Sequence, residues 1–173
     1  MAFNILVAPS GFKEGLDARD VAASIARGVA RALPSASIDV LPLMDGGEGF
    51  TRSLVETTNG SLHRMRTTDP LGRPIEVEIG LLGQAAKRTA VIEIAAAAGL
   101  RLVAPAERDL ARASSAGVGH MIRRALDLGA KCILVGCGDS GVNDGGAGVA
   151  AMPGGGVFDR GGDRAGGGGA PRS

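Results

Sequence analysis

Apolar and polar positions alternate in blocks over the first sixty residues. Ile5-Leu6-Val7-Ala8 is a short apolar run closed by Pro9 and Gly11, the pattern of a buried strand. Behind Asp17, the residues Val21, Ile25, Val29 and Leu33 recur every four positions, with Pro34 just beyond them. That spacing predicts a helix with Asp17 as its N-cap and one apolar face. Residues 38–43 are rich in strand formers and lead into Met44-Asp45-Gly46-Gly47-Glu48-Gly49, after which 50–58 form a second helix closed by Asn59-Gly60. An order of β-α-β-α predicts a parallel sheet with right-handed crossovers.

The rhythm changes at Ser61. Residues 62–68, 75–82 and 89–94 read as strands, separated by the turn Asp69-Pro70-Leu71-Gly72 and a short connection at 83–88. Hairpin-like strands here predict an insertion or second subdomain beginning near residue 62. A helix over 114–128, carrying Met121, Ile122, Ala125 and Leu126 and stopped by Gly129, leads to another buried strand at Cys132-Ile133-Leu134-Val135. The expected organisation is therefore a first part of an α/β domain at 1–61, a second α/β part with a glycine-rich loop at 62–150, and a tail at 151–173.

Composition sharpens the last boundary. Of 29 glycines in 173 residues, nine fall in 151–173. Average usage is roughly 7%, but without a G-X-Y period the excess does not indicate collagen. The tail has few large apolar side chains, Val157 and Phe158 among them, and reads as disordered because it cannot bury enough surface to offset its ordering entropy. Nineteen basic against eighteen acidic residues, well dispersed, give no field that argues for nucleic acid or an anionic membrane. Cys132 and Cys137 lack companions for a zinc site and read as structural thiols. The opening Met1-Ala2-Phe3-Asn4 has no basic segment, and no apolar stretch is long enough to span a bilayer, so a soluble cytoplasmic protein is expected.

Candidate chemistry lies at the strand exits. Ser10-Gly11-Phe12-Lys13-Glu14, then Asp45 to Gly49, then Asp139 to Gly148 each combine glycine with charged or hydroxyl side chains. If the three strands share one sheet, these loops share its carboxyl edge, where open α/β sheets bind ligands. Glycine lets backbone amides approach an anion, Lys13 supplies positive charge, and Asp45, Glu48, Asp139 and Asp144 supply oxygen ligands for a hard cation. Phosphoryl transfer needs that set of parts. Glu93, a carboxylate inside the apolar run 90–100, is either a rim residue or a site residue. Gly136-Cys137-Gly138-Asp139-Ser140-Gly141 has the spacing of a dinucleotide fingerprint, but Val142-Asn143-Asp144-Gly145-Gly146 is a poor helix start, and Val142 occupies the lysine position of a P-loop. Ser114 or Ser115 with His120 lacks a nucleophile elbow.

At these loops the sequence resembles the bacterial glycerate kinase family, ATP-dependent kinases of D-glycerate. The family's A-P-D-S-F-K-E-S-L is similar to Ala8 through Leu16, its P-M-A-D-G-G-E-G-T to Pro42 through Phe50, and its G-P-L-G turn to Asp69-Pro70-Leu71-Gly72. Its A-V-I-E-M-A-x-A-x-G-L is matched by Ala90 to Leu100, and its G-G-S-A-T-N-D-G-G-A-G by Gly138 to Gly148. Ser10 stands where the family has Asp, Gly11 where it has Ser, Asp139 where it has Gly, and Val142 where it has Thr.

The resemblance implies a flavodoxin-like parallel three-layer domain with part of a second α/β domain. It also implies ATP and Mg²⁺ as cofactors and glycerate as substrate. In it Lys13, Asp45 and Asp144 are catalytic, and Asp45 and Asp144 hold the metal. Ser10, Gly46, Gly47, Glu48, Glu93, Ser140, Asn143, Gly145 and Gly146 bind substrate or phosphate. In this reading the likeness covers about residues 4 to 152, the family's second half is missing, and the Gly/Arg/Pro-rich tail has the character of a shifted reading frame. A chain truncated in this way is expected to expose a sheet edge and self-associate. The competing expectation is a non-catalytic fragment with residual ligand or partner binding, and an independent dinucleotide-binding domain ranks behind it.

Overall fold

The computed structural model describes residues 3–12 and 15–151. Lys13 and the glycine-rich tail lie outside them. The chain divides into two compact units, Met1–Asp45 and Gly46–Ser173.

In the first unit, β1 (Asn4–Val7) pairs in parallel with β2 (Ser37–Val40), Asn4 opposite Ser37 and Val7 opposite Val40. The pairing continues through Leu41 N–H to the Val7 carbonyl and Leu43 N–H to the Pro9 carbonyl, at 2.8 and 2.9 Å. Between the strands runs α1 (Ala18–Ala32), whose N-cap Asp17 accepts the Asp20 amide at 2.9 Å, as the sequence predicts. Ala18, Val21 and Ala22 are buried along its inner face. The expectation of a buried strand is only partly met. Leu6 is 62% exposed and Val40 48%, because a two-stranded sheet with one helix cannot cover both of its faces.

The second unit holds a four-stranded sheet in the order β3-β4-β5-β6: β3 (Ser61–Thr68), β4 (Pro74–Leu81), β5 (Thr89–Glu93) and β6 (Cys132–Gly136). The first two pairings are antiparallel and β5–β6 is parallel. The β3–β4 turn is built by Asp69, 3% exposed, whose Oδ1 accepts the Leu71 and Arg73 amides while Oδ2 accepts Arg73 Nε at 2.6 Å. Glu107 also accepts from Arg73, and these two carboxylates raise the guanidinium's pKa above its ordinary value.

Alternation along β4 sends Val77, Ile79 and Leu81 to one face, where they pack with Ile92, Val118 and Met121. The helix α4 (Ala116–Asp127) supplies Val118 and Met121 to that core, and α3 (Ala95–Ala98) supplies Ala97 and Ala98. The opposite face receives α2 (Phe50–Thr57), with Val55 and Thr51 set against Gly80. A last short helix, α5 (Ala147–Ala151), follows the glycine-rich loop.

The α/β class is as expected, with a parallel pair in the first unit and a mixed sheet in the second. The parallel sheet of the first 61 residues is represented by β1–β2, and the layered arrangement with helices on both faces occurs in the mixed sheet. β6 joins β5. It is an edge strand there, with Leu134 41% and Val135 40% exposed, rather than the buried strand its run of apolar residues predicts. The units divide at Asp45/Gly46, and α2 packs on β4 and β5 of the second. No described helix is long and apolar enough to cross a membrane.

Candidate functional site

Within the second unit, the parallel strands β5 and β6 end side by side, and the loops leaving them meet the segment 46–49. The Gly138 amide donates to the Gly46 carbonyl at 3.0 Å, and the Glu48 amide to Asp139 Oδ2 at 3.4 Å. The close approach depends on glycine: a Cβ on Gly138 would lie 2.4 Å from the Gly47 backbone. Leu100 N–H donates to the Asp139 carbonyl and Gly141 N–H to the Ala98 carbonyl, so the loop after β6 is also tied to the segment after β5.

Glu93 closes β5 at the start of α2. The N-cap of α2, Gly49, has no side chain to cap the helix, and Glu93 does so instead: Oε1 accepts the Gly49 amide at 3.3 Å and Oε2 the Thr51 amide at 2.9 Å. A carboxylate at a helix N-terminus satisfies orphan amides and opposes the positive end of the macrodipole. Burial nevertheless dominates and raises the Glu93 pKa above the ordinary carboxylate range, with the Thr51 and Gly49 amides, the nearby Thr51 hydroxyl and the Phe50 amide pulling the other way. Thr51 and Glu93 line a cavity of about 520 Å³ together with Arg52, Arg64 and Glu78. Glu78 accepts from Arg52 at 2.5 Å and from Arg64 at 3.4 Å.

Asp144 is the organising residue of the glycine-rich loop. Its Oδ2 accepts the Ser115 amide at 2.8 Å, the Ser115 hydroxyl at 2.9 Å and the Gly148 amide at 3.1 Å, while Oδ1 accepts the Gly146 amide at 3.0 Å. Burial works to raise this carboxyl, but the donors from Ser115, Gly146 and Gly148 outweigh it and hold the pKa below the ordinary value. The Ser115 hydroxyl in turn accepts the Val149 amide. Three donors crowd Oδ2, so a cation at that oxygen would have to displace them, while Oδ1 accepts the Gly146 amide alone. Among the described residues, no group of three or more His, Cys, Asp and Glu side chains could hold an ion.

Of the residues singled out from the sequence, Gly46, Gly47, Glu48, Glu93 and Asp139 come together. Asp144, Gly145 and Gly146 lie farther along the same loop as Asp139. Ser140 is exposed and bridges to Gly99, and Asn143 is exposed. Ser10 and Asp45 are exposed residues of the first unit, and Lys13 is outside the described residues. The rejected dinucleotide fingerprint is indeed followed by non-helical residues up to α5. Both cysteines are free and exposed. Sequence reasoning missed two residues: Arg101, which is hydrogen-bonded to Glu48, and Ser115 as the partner of Asp144. Arg101 directly follows the matched segment 90–100, and its place after that segment was the only available signal.

Comparison with known proteins gives the same family as the motifs. The model of the glycerate kinase family matches residues 5–171. A glycerate kinase of Bacillus subtilis (strain 168) is 44% identical over 165 residues, covering 95% of this chain and 43% of the relative. A glycerate 2-kinase of Escherichia coli (strain K12) is 40% identical over 145 residues, covering 84% and 38%. A crystal structure of a protein assigned as glycerate kinase 2 from Salmonella typhimurium LT2 superposes with a TM-score of 0.67 at 43% identity, over 95% of this chain and 43% of that one. The chain thus spans about two fifths of the length of these relatives. The match to residue 171 carries the likeness past residue 152, where the motifs end, into the glycine-rich segment that the sequence reading set apart.

Proposed function

The chain belongs to the glycerate kinase family, and from that premise we propose that it carries part of an ATP-dependent kinase of D-glycerate, with the substrate seated in the cavity beside Glu93. The supporting observation is the buried Thr51 hydroxyl, which makes no well-formed hydrogen bond, next to the half-buried Glu93 carboxyl and beside two guanidiniums. A small hydroxy acid complements that set: its carboxylate suits Arg52 or Arg64, and its hydroxyls suit Thr51 and Glu93. The glycine-lined junction of 46–49 with 137–139 lies at the carboxyl ends of two parallel strands, which suits the phosphates of a nucleotide. Lys13 is the cation we assign to substrate carboxylate or phosphate, and Asp45 the carboxylate we assign to the substrate hydroxyl's proton. Mg²⁺ enters on the nucleotide's phosphates rather than on a cage of protein side chains, and Asp144 organises the loop instead of ligating it.

The test is melting of the chain with D-glycerate and with MgATP, followed by ³¹P spectroscopy of the product to identify the hydroxyl phosphorylated. D-glycerate is expected to raise the melting temperature, and Thr51→Val and Arg52→Ala to abolish that rise. A melt unchanged at saturating glycerate and MgATP favours the second reading, a non-catalytic family fragment that associates through apolar surface. The exposure of Leu6, Val40, Leu41 and Leu43 supports that reading.

A further inference from the structure

A second cavity, about 390 Å³, lies between β3 and α4, on the face of the sheet opposite to α2. Arg66, Thr67, His120, Arg123, Arg124 and Asp127 line it. Three guanidiniums thus face one carboxylate. Arg66 reaches Glu76 at 3.5 Å and Arg123 reaches Asp127 at 3.3 Å, but these pairs are largely exposed and of the kind that contributes little. The Arg124 side chain has no ion-pair or hydrogen-bond partner among the described residues.

The imidazole is oriented as well. The Thr67 hydroxyl donates its one proton to the Gly117 carbonyl at 2.9 Å, so at the 3.1 Å contact between Thr67 Oγ1 and His120 Nδ1 the ring must be the donor. That assigns the proton to Nδ1 and leaves Nε2 without a hydrogen-bond partner among the described residues, on a ring that lines the cavity. Thr67 is 6% exposed, and its bond to the backbone of α4 fixes this arrangement from the strand side.

We propose that this groove is an anion site for a phosphate group, separate from the cavity beside Glu93. Arg124 and Arg123 donate to its oxygens, and His120 Nε2 accepts from a protonated oxygen. Guanidiniums recognise phosphate through paired N–H donors, and exchangeable surface carboxylates yield to a doubly charged ligand.

The chain has only two histidines, so its imidazole nitrogens can be followed individually by long-range ¹H–¹⁵N spectroscopy, with His63 near the start of β3 as internal reference. Titration of the full chain with inorganic pyrophosphate should shift the His120 ring and leave His63 in place. Arg124→Ala should weaken that response about tenfold and Arg124→Lys less, as expected for loss of one charge-assisted contact. Arg124 is exposed, so the fold is not at stake, and an unchanged melt of each variant verifies this. The proposal is overturned if His120 does not respond, if sodium chloride of equal ionic strength moves it as far, or if Arg124→Ala responds like the parent. None of these outcomes depends on glycerate binding, so this site and the proposed function can fail independently.

Discussion

At the scale of single residues, two carboxylates that looked alike in the sequence have opposite electrostatics. Asp144 collects donors, and its lowered pKa means that it contributes stability above the ordinary aspartate range, lost as pH falls through the folded value. Asp144→Ala strands the Ser115, Gly146 and Gly148 donors and should cost about 2 kcal/mol by urea denaturation at neutral pH, with the difference shrinking in acid. Glu93 is the reverse case. Its folded pKa is raised by burial, so its contribution is complete below the ordinary glutamate range and is lost as pH rises from there through the folded value. Melting temperature should therefore decline over that window in the parent, and the decline should flatten in Glu93→Gln; an equal slope in both proteins would remove Glu93 as its source. Asp139 departs from the family's glycine at a position whose φ is +52°, in the region glycine favours. The carboxylate at that position takes the Glu48 amide, which glycine could not.

At the scale of elements, the helices and strands with a strong period were legible. Asp17 caps α1 as the sequence predicts, the β3–β4 hairpin turns at Asp69, and α4 presents Met121 and Ala125 inward. Short elements were not legible: α3 and α5 have four and five residues, too few for a helical period to register. Nor was the capping of α2 by Glu93, since the two are more than forty residues apart and only strand pairing brings them together. Glycines gave a position without a reason until the neighbours were known. Gly80→Ala would place a methyl 2.4 Å from Val55 Cγ2, so α2 must lift from β4, and a loss of about 1–3 kcal/mol is expected by calorimetry. Gly138→Ala sets a methyl 2.4 Å from the Gly47 backbone and should separate 46–49 from 137–139. If that junction holds phosphates, MgATP should lose its stabilising effect on the variant, measured by thermal shift.

At the scale of the whole molecule, the apolar runs of β1 and β6 have the composition of strands covered on both faces, and β2 alternates Ile38 and Val40 with Ser37 and Asp39. Leu6, Val40, Leu134 and Val135 are instead 40–62% exposed. Apolar surface of this kind, with open sheet edges, favours association. Sedimentation should show mass rising with concentration, and a monomer with a sharp two-state melt across the same range would exclude it.

What the sequence determined by itself is local or motif-borne: element order, the Asp17 cap, the Asp69 turn, and the glycine loops by which the family is recognised. These depend on residues near one another in the chain, where propensity and period act directly. Only tertiary structure decided that β6 pairs with β5, that Glu93 caps α2, that Asp144 serves Ser115, and that Thr67 on β3 holds the His120 ring. Each of these joins residues distant in sequence through hydrogen bonds whose partners no local pattern encodes.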